Sequence, residues 1–155
     1  MKGPYGLLVA LRNDEPLLVV GGGPLAERKM ATLLGAGCRP HLVAPVLTES
    51  LLADHDRGAF DWEPREATRE DFRAFRLVLL ALPPGETEKL LPWAREARCL
   101  VNCASSAEKG DWALLAQFDS DSCRVGVGSG GYDPALAAGK KELICRFLTD
   151  REVKP

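Results

Sequence analysis

The chain has 155 residues, a size that suits one domain with a small addition. Hydrophobic residues make up 46% and charged residues 27%, as in an ordinary globular protein. A formal net charge of -2 excludes a general affinity for nucleic acid or an anionic membrane, so an acidic ligand needs a local pocket. The first eleven residues contain Gly3, Pro4 and Gly6 and are too short an apolar run for a leader. The longest apolar stretches, such as Leu77 to Leu82, are strand-sized and cannot span a bilayer. Five cysteines, an odd number at no zinc-module spacing, predict buried reduced thiols, no metal site and a cytoplasmic protein.

Short apolar runs alternate with helical stretches, the pattern of an α/β fold with a parallel sheet. Pro16 to Val20 predicts a strand running into three glycines. Pro24 to Leu34 predicts a helix with proline at its tolerated first position, stopped by Gly35 and Gly37. Strands follow at Arg39 to Ala44 and Ala59 to Glu63, with a helix at Thr48 to His55 between them and a turn or short helix at Asp71 to Phe75. Arg76 to Leu82 is a continuous apolar run, typical of a central strand buried on both faces. After the break at Pro83-Pro84-Gly85, Glu86 to Ala97 predicts a helix and Cys99 to Cys103 a strand. The tail predicts two strands, Ala113 to Phe118 and Cys123 to Gly128, around Asp119-Ser120-Asp121-Ser122, then a helix over Pro134 to Leu148. Such short elements bury little alone. The expectation is a Rossmann-like domain over 1–112 and a strand-hairpin and helix dimerisation segment over 113–155.

Gly21-Gly22-Gly23-Pro24-Leu25-Ala26 places Gly-x-Gly-x-x-Ala between a strand and a helix. Gly21 permits the tight turn, Gly23 leaves room for a pyrophosphate, and Ala26 lets the helix pack close. The helix start offers free amides and a partial positive charge. The acid that would hold an adenine ribose about 20 residues on is missing, since the second strand ends in Val43-Ala44-Pro45-Val46.

Several segments, taken together, resemble the precorrin-2 dehydrogenase (siroheme synthase N-terminal) family. Leu8-Val9-Ala10-Leu11 precedes a polar turn and the first strand. Gly21-Gly22-Gly23-Pro24-Leu25-Ala26-Glu27-Arg28-Lys29 looks like the family's Gly-Gly-Gly-x-Val-Ala-x-Arg-Lys. Val43-Ala44-Pro45 looks like its second-strand ending, and Leu100-Val101-Asn102 like the strand leading to its catalytic loop. Gly128-Ser129-Gly130-Gly131-Tyr132-Asp133-Pro134, then Leu136-Ala137, resembles its Ser-Gly-Gly-x-x-Pro-x-Leu-Ala segment.

The resemblance implies an NAD-dependent oxidoreductase of siroheme (porphyrin) biosynthesis, a homodimer that oxidises precorrin-2 to sirohydrochlorin. It implies that Gly21, Gly23, Pro24 and Leu25 hold the pyrophosphate and that Pro45 and Val46 contact the adenosine half. Asn102, Ser105, Ser129 and Gly130 would line the tetrapyrrole site. Similar proteins use an aspartate just after the Asn, as general base and in chelation. Ser105 stands there in this chain, and serine is a poor base without an activating partner. Ala81-Leu82-Pro83-Pro84-Gly85 departs from a usual Ala-Thr-Asp, and Glu88 replaces a common Asn. These changes imply weak dehydrogenation and little iron insertion. The alternatives are a non-catalytic tetrapyrrole-binding or regulatory module, or a nucleotide sensor that keeps only the glycine loop.

Asp111 is either a substitute base or a turn residue. Cys103 is either a buried thiol or a soft metal ligand, and His41 and His55 read as structural or solvated, with no carboxylate or cysteine at ligand spacing. Lys140, Lys141 and Arg146 form either a solvated helix face or a contact for substrate carboxylates. Ser129-Gly130-Gly131, between a strand and a helix, suggests an anion-accepting turn.

Overall fold

A computed structural model describes residues 5–121 and 123–152, with side chains through Thr149. The chain divides into two compact units, Ala10–Trp112 and a second that joins the residues up to Val9 with those from Ala113 onward. The leading segment thus goes with the tail and not with the sheet it precedes in sequence.

The larger unit is a five-stranded parallel sheet of β1 (Leu17–Val20), β2 (His41–Val43), β3 (Asp61–Glu63), β4 (Leu77–Leu80) and β5 (Leu100–Cys103), in the order β3-β2-β1-β4-β5. Its helices are α1 (Pro24–Gly35), α2 (Glu49–Asp56), α3 (Arg69–Ala74) and α4 (Pro84–Glu96). Every residue of β1 and β4 is buried, which is why both read as unbroken apolar runs. Leu18, Val20, Val43, Val78, Leu80 and Val101 pack with Phe72, Ala94, Cys99 and Cys103 in one core cluster. The chain winds outward from β1 to β3 and then returns to the other side of β1 as β4. The direction therefore reverses between β1 and β4, and ligands of such sheets bind beyond the carboxyl ends of the strands at that point.

The expected α/β Rossmann-like class holds, and the boundaries shift for local reasons. α4 begins at Pro84, two residues before the expected start, because Pro83 serves as the N-cap and Pro84 needs no N–H in the first turn. α3 begins at Arg69, since the Asp71 carboxylate accepts from Thr68 N at 2.7 Å and fixes the entry to the helix.

Arg65 grips the same carboxylate with both terminal guanidinium nitrogens, each at 2.7 Å. This bond, ahead of those from Thr68, holds the Asp71 carboxyl below its usual range. The folded pKa lies below the unfolded one. The stabilisation is therefore present above the unfolded value of about 4 and is lost as pH falls through the folded value. Asp71→Ala should cost about 1–2 kcal/mol at neutral pH. Denaturation curves of the two proteins should converge in acid, and a gap that stays constant with pH would contradict this assignment.

The smaller unit contains an antiparallel pair, β6 (Ala116–Ser120) and β7 (Cys123–Val127), and the helix α5 (Pro134–Glu152), which packs on both strands. β6 starts three residues later than expected. Ser120 pairs with Cys123, so the turn is shorter than the four residues expected. Asp121 takes a left-handed φ of 50°, which Asp tolerates in such turns. Ser122, part of the expected turn, lies outside the described residues. α5 also runs past the expected end at Leu148.

Candidate functional site

The turn from β1 to α1 lies at the point of reversal. Gly21 N donates to Val43 O at 3.1 Å, and Ala81 N donates to Val20 O at 2.9 Å, so the ends of β2, β1 and β4 are tied in a row. Gly21 has φ +119°, and a Cβ there would overlap Ala81 O. Gly22, which the sequence motif passes over, is equally constrained. A Cβ on it would overlap Val46 O and stand 2.9 Å from Leu47 Cδ2, while Gly22 O accepts from Thr48 N at 2.9 Å. The segment after β2 thus rests on the backbone of Gly22.

Gly23 differs from both, because a Cβ on it would meet nothing within 4 Å. Gly23 is the N-cap of α1 and provides no side-chain cap. Pro24 lacks an N–H, and the first helical bond runs from Glu27 N to Gly23 O at 3.0 Å. The amides of Leu25 and Ala26 therefore stand at a helix start with no intrahelical acceptor. Open space beside a positive helix end suits an anionic group.

Pro45 and Val46 are exposed next to this turn, Val46 at 74%. Ala44 behind them is fixed on both sides, with its N–H on Glu63 O at 3.3 Å and its carbonyl accepting from Trp62 Nε1 at 2.9 Å. Thr48 caps α2 by accepting from Leu51 N, and its hydroxyl donates to Glu27 Oε2 at 2.6 Å. Glu27 of α1 and Gly22 thus hold this segment from two sides, a link that spacing does not reveal.

At the end of β5, Asn102 is buried and its Nδ2 donates to Trp112 O at 2.9 Å. Ser105 is partly exposed, and its Oγ lies 3.3 Å from Oγ1 of the buried Thr87. Asp111 lies in the turn that follows β5, with its carboxylate engaged. Its N–H donates to Val101 O, and its Oδ2 accepts from Val101 N at 2.8 Å and from Arg95. Lys109 pairs with Glu88 and holds that carboxyl below its usual range. The two ion pairs clamp the loop after β5 onto one side of α4. Cys103 is buried in the core, and desolvation pushes its thiol up.

Ser129 and Gly130 lie in the smaller unit. Ser129 Oγ accepts from Asp133 N at 2.9 Å, and Asp133 Oδ1 accepts from Leu136 N at 2.8 Å. The start of α5 is therefore capped by a carboxylate of its own. Two expectations change. His41 does find a carboxylate, Glu63 Oε1 at 2.8 Å on the neighbouring strand, which residue spacing along the chain does not show. Only Cys99 and Cys103 are buried, whereas Cys38 and Cys145 are half-buried and Cys123 is exposed, since it begins an edge strand of the hairpin. Among the described residues no cluster of three or more His, Cys, Asp or Glu could hold a metal, and no helix is long and apolar enough to cross a membrane.

A parallel sheet with reversed winding and an open, glycine-lined helix start defines a Rossmann-type domain. The chain belongs to the family described as putative NAD(P)-binding, which matches residues 8–116. It resembles siroheme synthases in sequence. Siroheme synthase 3 of Aeromonas hydrophila subsp. hydrophila is 31% identical over 137 residues, 88% of this chain and 29% of that protein. A siroheme synthase of Xylella fastidiosa is 34% identical over 147 residues, 92% of this chain and 30% of that protein. The chain thus spans under a third of the length of these relatives. In fold it resembles the solved structure of SirC, precorrin-2 dehydrogenase, with a TM-score of 0.70 over 92% of this chain and 70% of that one at 23% identity.

Proposed function

We propose that this chain binds NAD on the β1–α1 turn and oxidises precorrin-2 to sirohydrochlorin. The observation that carries the reading is Gly23, an uncapped helix start with open space where its neighbours Gly21 and Gly22 have none. The backbone of Gly21, Gly23, Pro24 and Leu25 would hold the pyrophosphate, and Pro45 and Val46 would meet the adenosine half. When bound, NAD accepts the hydride. Asn102 and Ser105 would serve the tetrapyrrole from the end of β5, and Ser129 and Gly130 are proposed contacts on their own turn. Iron insertion is disfavoured, because Ser105 offers no carboxylate. The similarity to siroheme synthases supports a place in siroheme formation. The test is anaerobic mixing with NAD and precorrin-2, where NADH and sirohydrochlorin should appear together.

A second reading is favoured by one observation. Asp111 in the β5 loop and Glu88 on the facing helix are each engaged by a cation. A module that binds the tetrapyrrole without turning it over would fit that arrangement. In the same experiment it would shift the tetrapyrrole spectrum without forming NADH.

The protein is also proposed to be a cytoplasmic homodimer. α5 exposes Leu136, Leu143, Ile144 and Phe147, apolar surface that an isolated monomer leaves in water. Light scattering should return twice the monomer mass, and a monomer at high concentration would contradict the dimer.

A further inference from the structure

Thr87 is a buried polar residue, 1% exposed, in the first turns of α4, and nothing in the glycine motif involves it. Its hydroxyl lies between two loops at the carboxyl end of the sheet. It donates to Leu82 O at 3.1 Å and lies 3.3 Å from Ser105 Oγ. A hydroxyl carries one proton, and a carbonyl oxygen can only accept. The Thr87 proton is therefore committed to Leu82. At the other contact Thr87 Oγ1 must accept, and Ser105 must donate its own single proton inward.

We infer that Ser105 meets its ligand as a hydrogen-bond acceptor and that Thr87 is the positioning residue that fixes it so. With its proton turned toward Thr87, Ser105 has only lone pairs left for the ligand. Ser105 is partly exposed and Thr87 is not, so the ligand reaches the first and never the second. The matching group is an N–H donor. On a tetrapyrrole the donors are the ring nitrogens, and the peripheral carboxylates are acceptors. Ser105 is thereby assigned to the ring and not to its carboxylate side chains. Both contacts are long for hydroxyl bonds, so Thr87 orients Ser105 more than it anchors it.

This inference rests on the tetrapyrrole reading, and the experiment separates the two. Sirohydrochlorin and NAD are titrated separately against the wild type, Ser105→Ala, Thr87→Val, Thr87→Ser and the Ser105→Ala/Thr87→Val double variant. Ser105→Ala and Thr87→Val should each weaken sirohydrochlorin binding about three- to tenfold. The double variant should bind no more weakly than Ser105→Ala alone, because Thr87 acts only through Ser105. Thr87→Ser, which keeps the hydroxyl, should recover most of the affinity, and NAD affinity should stay within about twofold throughout. If Thr87→Val does not fold, Thr87→Cys takes its place in the cycle, with a weaker donor and acceptor. Losses that multiply in the double variant overturn the inference, as does NAD affinity that falls in step with sirohydrochlorin affinity. A wild type with no affinity for sirohydrochlorin removes the tetrapyrrole reading and this ligand assignment with it.

Discussion

Gly22→Ala is expected to destabilise the ligand-free protein by about 2–4 kcal/mol, or roughly 5–15 °C in Tm for a chain of this size. The added methyl would overlap Val46 O and press on Leu47 Cδ2 and Ala44 Cβ. A backbone carbonyl cannot rotate aside as a side chain does. The segment after β2 cannot retreat easily either, because Thr48 is bonded to Gly22 O and to Glu27 and also caps α2. Ala44 behind it is held from β3 by Glu63 O and Trp62. Relief would require breaking at least one of these bonds. Thermal melting reads the effect, and a Tm within about 2 °C of wild type would show that the segment moves freely.

Ser105→Asp is expected to raise dehydrogenation. One well-placed general base is typically worth about 10²–10⁴-fold. The gain here should be near tenfold, about 1.4 kcal/mol in barrier, because the facing loop now carries Leu82, Pro83 and Pro84 and the new carboxylate meets an altered wall. Metal insertion should rise at least as much, since an oxygen ligand near the ring is then restored. Steady-state assays of both activities decide the matter. A wild type that already turns over at about 10 s⁻¹, and that Ser105→Asp slows, would place the base elsewhere. Asp111 could take that role only by giving up Arg95 and the edge of β5.

The sheet was legible because burial on both faces of β1 and β4 leaves no polar residue to break their apolar runs. The glycine turn was legible because its motif is local. Gly22 was not, since its constraint comes from Val46, a residue of another loop. Thr87 and the Glu27–Thr48 bond were hidden for the same reason, as each joins segments 18 or 21 residues apart. A third glycine inside Gly-x-Gly, and a lone threonine in the first turns of α4, were the available signals. Asp133 as the cap of α5 was not legible, because that role depends on side-chain geometry. His41 was missed because strand pairing, not spacing, brings Glu63 beside it.

The most direct test of the central claim, that NAD sits on the β1–α1 turn, is a calorimetric titration of NAD into the wild type and Gly23→Asp, with melting curves of both. Gly23 has an extended backbone, and its Cβ position is open, so aspartate fits without strain. Aspartate is moreover a favoured N-cap, and the variant should melt at or above the wild-type temperature. Its carboxylate would take the helix-start amides and set a negative charge against the pyrophosphate. NAD binding should weaken at least tenfold, about 1.4 kcal/mol, in a protein that is fully folded. Wild-type affinity in the folded variant would contradict the claim and remove the glycine turn as the cofactor site.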